Sequence, residues 1–176
     1  FAIALWDERR KQGLLVRDRL GIKPLYYGNH DGHLVFASEI KAILKHRSFP
    51  RHVSQAGLDT YLALRYVPDD LTIFAAIHKL RPGHIVLCGP ERGVEVTQYW
   101  KPPVQLGGRT VDEGEAEEQL FGLLEDAVRI RLMSDVPFGA FLSGGLDSSG
   151  IVGLMSRLLG KERVKTFSIG FSEMPG

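Results

Sequence analysis

Apolar residues recur along this chain in short runs broken by glycine, proline and charge, and only a few stretches carry a helical spacing. Residues 1–5 and 14–18 are strand-like and flank a polar turn at 7–13, which predicts a hairpin. Another short strand is expected at 34–37, after a turn at 29–32. Ser38 is the expected cap of a helix over 39–46. Ser54 is the expected cap of a second helix, with Leu58, Tyr61, Leu62, Leu64 and Tyr66 on one apolar face and residues 67–70 as its end. Residues 77–80 then run into a turn at Arg81, Pro82 and Gly83, and strands at 84–88 and 94–99 pair across 89–93. Short strands with two helices predict an α+β arrangement for this half.

The texture changes at residues 100–109, where prolines and glycines concentrate, so a domain boundary is placed near 102–110. Thr110 or Asp112 would begin a long helix, with Glu113, Glu115, Glu117 and Glu118 near its positive end. Leu120, Leu123, Leu124, Ala127, Val128 and Leu132 form its apolar stripe. A solvated first turn explains the acidic run better than a metal site does. Next come an apolar run at 136–142, a glycine turn, a helix-like segment at 150–159, a turn at 160–162 and a strand at 164–169. Helix, strand, helix and strand in that order predict the start of a parallel α/β sheet with a right-handed crossover. Ligands of such sheets sit outside the carboxyl ends of the strands, here at Leu142 and Ile169, which should face each other across a nucleotide.

Composition narrows the classes. The 176 residues carry a net charge of +1, which implies no broad polyanion-binding surface and hence no nucleic-acid partner. No apolar run approaches the roughly 20 residues of a membrane-spanning helix. Cys88 is the single cysteine, so a reducing, cytoplasmic compartment is expected, and its place in a strand predicts a buried, inert thiol. Six histidines show no metal-ligand spacing, and Trp6 and Trp100 read as core or interface aromatics. The opening residues have neither an initiator Met nor a basic leader, and the end follows directly on a strand, so an internal fragment is expected.

The densest chemistry lies at Ser143-Gly144-Gly145-Leu146-Asp147-Ser148-Ser149, between an apolar run and a helix-like segment. Strand, glycine turn and helix make an anion cradle, because the turn and the helix N-terminus both offer unpaired N–H groups. The three serines add hydroxyls, and Asp147 amid phosphate donors suggests a bound Mg²⁺. No Gly-Lys-Ser/Thr or Gly-x-Gly-x-x-Gly stands at this turn, so a pyrophosphate loop fits better than a Walker loop or a dinucleotide turn. An ordinary capped turn would need one hydroxyl and explains neither the double glycine nor the carboxylate. Upstream, Arg17, Asp18, Arg19 and Lys23 could hold an acidic ligand. On composition alone, an Arg–Asp pair bracing the turn at Gly21 and Pro24 is the favoured alternative.

The stretch from Ser134 through Ser149 resembles the loop of glutamine-dependent asparagine synthetases, and Thr166-Phe167-Ser168-Ile169-Gly170-Phe171 is similar to the strand that follows it. Phe1-Ala2-Ile3-Ala4-Leu5-Trp6-Asp7, Arg17-Asp18-Arg19-Leu20-Gly21-Ile22-Lys23-Pro24-Leu25-Tyr26-Tyr27 and Phe36-Ala37-Ser38-Glu39-Ile40-Lys41-Ala42 resemble the rear half of that family's glutaminase domain. Leu80-Arg81-Pro82-Gly83-His84 and Gln98-Tyr99-Trp100 fit the stretch before the linker.

The resemblance implies residues 1–105 as the C-terminal half of an α+β, N-terminal-nucleophile glutaminase domain with antiparallel strands. Residues 106–176 would begin an α/β parallel-sheet adenine-nucleotide domain. The implied enzyme uses glutamine, aspartate, ATP and Mg²⁺ to make asparagine through β-aspartyl-AMP, with release of pyrophosphate. Carried over by position, Ser143, Gly144, Gly145, Asp147, Ser148 and Ser149 hold pyrophosphate, with Asp147 meeting its Mg²⁺. Leu142 and Ile169 bracket the adenosine, and Arg17, Asp18 and Arg19 support the glutaminase site from behind. The family's cysteine nucleophile is not among these residues, so no catalytic residue is assigned and the fragment is expected to be inactive alone. A homodimer is compatible with this reading. Alternatives are a relative with another carboxylate acceptor (a β-lactam synthetase, a peptide-cyclising enzyme or a glycan-precursor amidotransferase) and a non-catalytic glutaminase-like module. A lapsed site would have no need of a buried carboxylate beside phosphate, which argues against the last.

Overall fold

A computed structural model describes residues 1–68, 70–104, 112–160 and 163–170. The predicted features at Asp69, the boundary residues 105–111 with Thr110, the turn at Lys161 and Glu162, and Phe171 lie outside the described residues. The chain divides into two compact units, Phe1–Val104 and Gln105–Gly176.

In the first unit the strands are β1 (Ala2–Asp7), β2 (Gln12–Arg17), β3 (Tyr26–His30) and β4 (His33–Ala37). Helices α1 (Ile40–Ile43) and α2 (Gln55–Leu64) follow, and then β5 (His78–Lys79), β6 (His84–Gly89) and β7 (Gly93–Gln98). They build two antiparallel sheets, ordered β1-β2-β6-β7 and β4-β3-β5. The hairpin expected at the start is present, with Ala2 opposite Arg17 and Asp7 opposite Gln12. Along β2 every second residue is buried: Gly13, Leu15 and Arg17. This period-two alternation sends Arg17 to the face of Leu15, which joins Leu25, Tyr27, Leu80 and Val86 in the core. A second cluster gathers Ile43, Phe49 and Ile77.

Three expectations change here. Tyr26–His30 forms a full strand where a turn was expected from residue 29, with the turn confined to Asp31 and Gly32. Ser38 does not cap α1. Glu39 holds the N-cap position without a side-chain bond, and after Ile43 the chain tightens into i→i+3 bonds from Lys45 and His46. Ser54 does cap α2, accepting from the Gly57 N–H at 3.1 Å, yet the predicted apolar face stays exposed, with Leu62 at 71%. The helix instead packs through Gly57, where a Cβ would lie 2.2 Å from the Thr72 carbonyl oxygen.

In the second unit Asp112 caps α3 (Glu113–Arg129), accepting from the N–H groups of Gly114 and Glu115. Two-residue strands β8 (Ala140–Phe141) and β9 (Thr166–Phe167) run parallel, and α4 (Leu146–Leu159) connects them. Both strands are much shorter than the runs predicted at 136–142 and 164–169. Each pairs only with the other among the described residues. Gly139 lets the two backbones meet, since a Cβ there would sit 2.7 Å from the Lys165 carbonyl oxygen. Val128, Leu154 and Met155 form the core, and the rest of the α3 stripe is largely exposed, with Leu123 at 70%.

Candidate functional site

In the second unit the Leu142 N–H donates to the Phe167 carbonyl at 2.9 Å, and the Ser168 hydroxyl donates to the Leu142 carbonyl at 2.6 Å. These bonds hold the carboxyl ends of β8 and β9 side by side. The chain then turns through Gly144 at φ +82, a left-handed conformation that favours glycine. Gly145 is the N-cap of α4, so the helix starts at Leu146 and not near residue 150. Asp147, Ser148 and Ser149 therefore lie in its first turn.

A relay of hydroxyls sets the loop. The Gly145 N–H donates to Ser143 Oγ at 3.4 Å, Ser143 and Ser148 Oγ are 3.0 Å apart, and Ser148 donates to the Gly145 carbonyl at 3.1 Å. The Ser149 N–H closes the first helical bond, on Gly145 O. The N–H groups of Leu146, Asp147 and Ser148 precede it and have no partner within the helix, so they offer donors and the positive end of the dipole to an anion. Asp147 is exposed, which corrects the expectation of a buried carboxylate. Ile169 is also open, at 81%. Among the described residues no group of three or more acidic, histidine or cysteine side chains gathers for a metal. One carboxylate beside phosphate donors suits Mg²⁺, which keeps waters and takes substrate phosphates as its other ligands.

In the first unit the expected Arg17–Asp18 ion pair does not form; each side chain braces backbone separately. Arg17 is buried and donates from Nε to the Lys23 carbonyl at 3.0 Å, from Nη1 to Leu80 at 2.6 Å and from Nη2 to Gly21 at 2.8 Å. Asp18 is buried too. Its Oδ1 accepts from the N–H groups of Leu20 and Ile22, and Oδ2 accepts from the Lys23 N–H and the Phe1 backbone nitrogen, all at 3.1 Å. Arg19 is exposed, with its guanidinium 5.9 Å from the centre of the Trp100 ring. The carbonyl of Asp18 receives the N–H of Gly21 at 3.1 Å and of Gly83 at 3.0 Å. Tyr99 donates its hydroxyl to the Arg17 carbonyl at 2.8 Å. Residues 63 and 82 positions along from Arg17 thus meet it at one corner.

Sequence reasoning placed Arg17, Asp18 and Arg19 here but not their partners Leu80, Gly83 and Tyr99. A signal was available in the two glycines, Gly21 and Gly83, each followed or preceded by proline within three residues. Both adopt positive φ. Cys88 is half-buried, a correction to the buried thiol expected, and a Cβ on Gly13 across the sheet would lie 2.5 Å from its Sγ.

Burial opposes ionisation of Asp18 more than any other single effect. Hydrogen bonds from the N–H groups of Lys23 and Ile22 act the other way and lower the carboxyl below the usual carboxylate range. A carboxyl lowered in the folded state contributes stability that is complete above its unfolded value, about 3.9, and is lost as pH falls below that. Thermal unfolding followed from pH 6 downward should therefore show an acid-side loss beginning near about pH 4. Asp18→Asn should flatten that loss while lowering stability at neutral pH.

No helix among the described residues is long and apolar enough to cross a membrane. Residues 1–100 match the family described as the glutamine amidotransferase domain, and residues 119–176 match the asparagine synthase family. An amidase, chry2, of Gibberella zeae is 39% identical over 161 residues, which cover 90% of this chain and 23% of that protein. A glutamine-hydrolysing asparagine synthetase of Bacillus subtilis is 37% identical over 177 residues, covering 98% of this chain and 28% of that protein. The chain thus spans 23% and 28% of the length of these two relatives. With both units matched in the same order, the chain belongs to the glutamine-hydrolysing asparagine synthetase family.

Proposed function

We propose that the protein carrying this chain is an ATP-dependent amidotransferase that makes asparagine from aspartate and glutamine. Residues 1–105 belong to its glutaminase domain and residues 106–176 begin its synthetase domain. The observation that carries this reading is the loop at Ser143–Ser149: free N–H donors, two linked hydroxyls and one exposed carboxylate, at the ends of two parallel strands. A carboxylate is a poor acyl donor. Attack of the aspartate β-carboxylate on the α-phosphorus of ATP gives β-aspartyl-AMP and pyrophosphate, and ammonia then displaces AMP. The leaving pyrophosphate gains negative charge, which the N–H groups of Leu146, Asp147 and Ser148 and the hydroxyls of Ser143, Ser148 and Ser149 would stabilise by donating hydrogen bonds. Gly144 and Gly145 leave the phosphates open access to that backbone. Mg²⁺, held through Asp147 and phosphate oxygens, would supply neutralising charge. Leu142 and Ile169, at adjoining strand ends, would flank the adenosine.

Arg17 and Asp18 would support the glutaminase site by fixing the corner at Gly21, without touching glutamine. Cys88, packed mid-strand against Gly13, is not placed to attack it. In a second reading the same loop would activate another carboxylate; the fungal relative is named an amidase and not an asparagine synthetase.

The test is exchange of labelled pyrophosphate into ATP by the full-length protein. Exchange that requires aspartate, with glutamine-dependent asparagine formation, is expected. Exchange supported by a different carboxylate and not by aspartate would move the assignment to the second reading, and no exchange with any carboxylate would sink both.

A further inference from the structure

The strands β8 and β9 end at Phe141 and Phe167, and one residue beyond each end stand Leu142 and Ser168. The Leu142 N–H continues the ladder onto the Phe167 carbonyl at 2.9 Å. The Leu142 carbonyl is held differently, by a side chain: Ser168 Oγ donates to it at 2.6 Å. In a continuing parallel ladder a main-chain N–H would occupy that carbonyl, so the hydroxyl replaces a backbone donor where the strands end. This carbonyl belongs to the planar peptide unit that leads into Ser143, and holding its oxygen fixes the plane from which Ser143 departs. Ser143 Oγ in turn receives the Gly145 N–H at 3.4 Å and lies 3.0 Å from Ser148 Oγ, which closes on the Gly145 carbonyl at 3.1 Å. A Cβ on Gly144 would meet no atom of the described residues within 4 Å, so packing against Gly144 does not fix this turn. Hydrogen bonds do, and the first of them starts at Ser168.

We propose that Ser168 is a positioning residue for the phosphate loop: by holding the Leu142 carbonyl it sets the Ser143 hydroxyl, and through it the donors that meet the leaving pyrophosphate. This rests on the ATP-dependent reading above and adds to it a residue that itself touches no phosphate. The tether acts on alignment, which governs how well fixed donors answer charge that appears only as the bond breaks.

In the full-length protein, Ser168→Ala removes the hydroxyl and Ser168→Thr keeps it. Ser168→Ala should lower the maximal rate of carboxylate-dependent pyrophosphate exchange about fivefold to tenfold and leave the KM for ATP within about twofold. Ser168→Thr should stay within about twofold of the parent, since threonine suits a strand end and retains the donor. Ser143→Ala should lose about tenfold, and adding Ser168→Ala to it should cost no more than about twofold further, because both act through one hydroxyl. The Leu142 amide should exchange with solvent about threefold to tenfold faster in Ser168→Ala. The Ala140 amide, one rung back on the Lys165 carbonyl, should keep its parental rate. Unchanged exchange of the Leu142 amide overturns the tether. Faster amide exchange with an unchanged pyrophosphate rate overturns the positioning role. So do losses that multiply in the double variant, which would mark a merely structural role, and a Ser168→Thr protein no better than Ser168→Ala. A parent that exchanges pyrophosphate with no carboxylate overturns the proposed function and the positioning role with it, while the amide rates still decide the tether.

Discussion

Arg17→Met should unfold the first unit at physiological temperature, although it keeps the length of the side chain. Arg17 sits on the buried face of β2, one step along from Leu15, and a methionine would fit that apolar setting. What it cannot replace is the fork of donors. The carbonyls of Gly21, Lys23 and Leu80 converge on one guanidinium, and no substitution removes a backbone carbonyl. Each buried acceptor left unpaired costs about 1–3 kcal/mol, so the loss should come to about 3–5 kcal/mol once local water entry is allowed for. For a unit of this size that lowers the midpoint by roughly 15 °C or more. Arg17→Lys keeps the charge but satisfies one carbonyl at a time, and should fall between the two. The measurement is the unfolding transition of this unit in the full-length protein. An Arg17→Met transition within a few degrees of the parent would mean that the corner is held by Asp18 and the glycines alone.

That corner shows where a sequence can be read and where it cannot. The hairpins, the Ser54 and Asp112 caps and the glycine turns are local: the hydroxyl or carboxylate stands next to the N–H it receives. They could be placed from spacing. The strand Tyr26–His30 could not, because Tyr-Tyr-Gly-Asn-His lacks an apolar run. It is a strand because β4 and β5 flank it, and because Gly28 leaves room for the Phe49 ring, 2.3 Å from where a Cβ would be. The apolar faces of α2 and α3 were legible as patterns, but a pattern does not say what covers it, and most of both faces remains exposed. At the loop, the serines, glycines and Asp147 were all visible in advance. The helix start at Leu146 was not, since Gly145 caps without a side chain and the serines bond to one another. The partners of Arg17 lie up to 82 residues from the corner, beyond the reach of any periodicity.

Asp147→Asn should reduce aspartate-dependent pyrophosphate exchange by about 10²–10³-fold while leaving the fold intact. The two halves of that prediction have separate grounds. Asp147 is exposed and near the positive end of α4, so loss of its charge removes a helix-dipole contribution of about 0.5 kcal/mol and no buried contact. Its effect on exchange comes from charge at the phosphates. Pyrophosphate leaves with more negative charge than it carried in ATP, and the N–H donors and hydroxyls answer only part of that. A carboxylate next to the anion would repel it if nothing cationic lay between them. On the proposed function, Asp147 would therefore help by holding a cation. The variant should therefore need more Mg²⁺ for half-maximal exchange, and Asp147→Glu should recover part of the activity at high Mg²⁺. Ser148→Ala makes the contrast, because it removes one donor and leaves the cation's ligand in place, so its smaller loss of about tenfold should not respond to Mg²⁺. If Asp147→Asn exchanged at the parental rate, the charge would be a helix-capping feature alone, and the phosphates would be held by the backbone and serines without it.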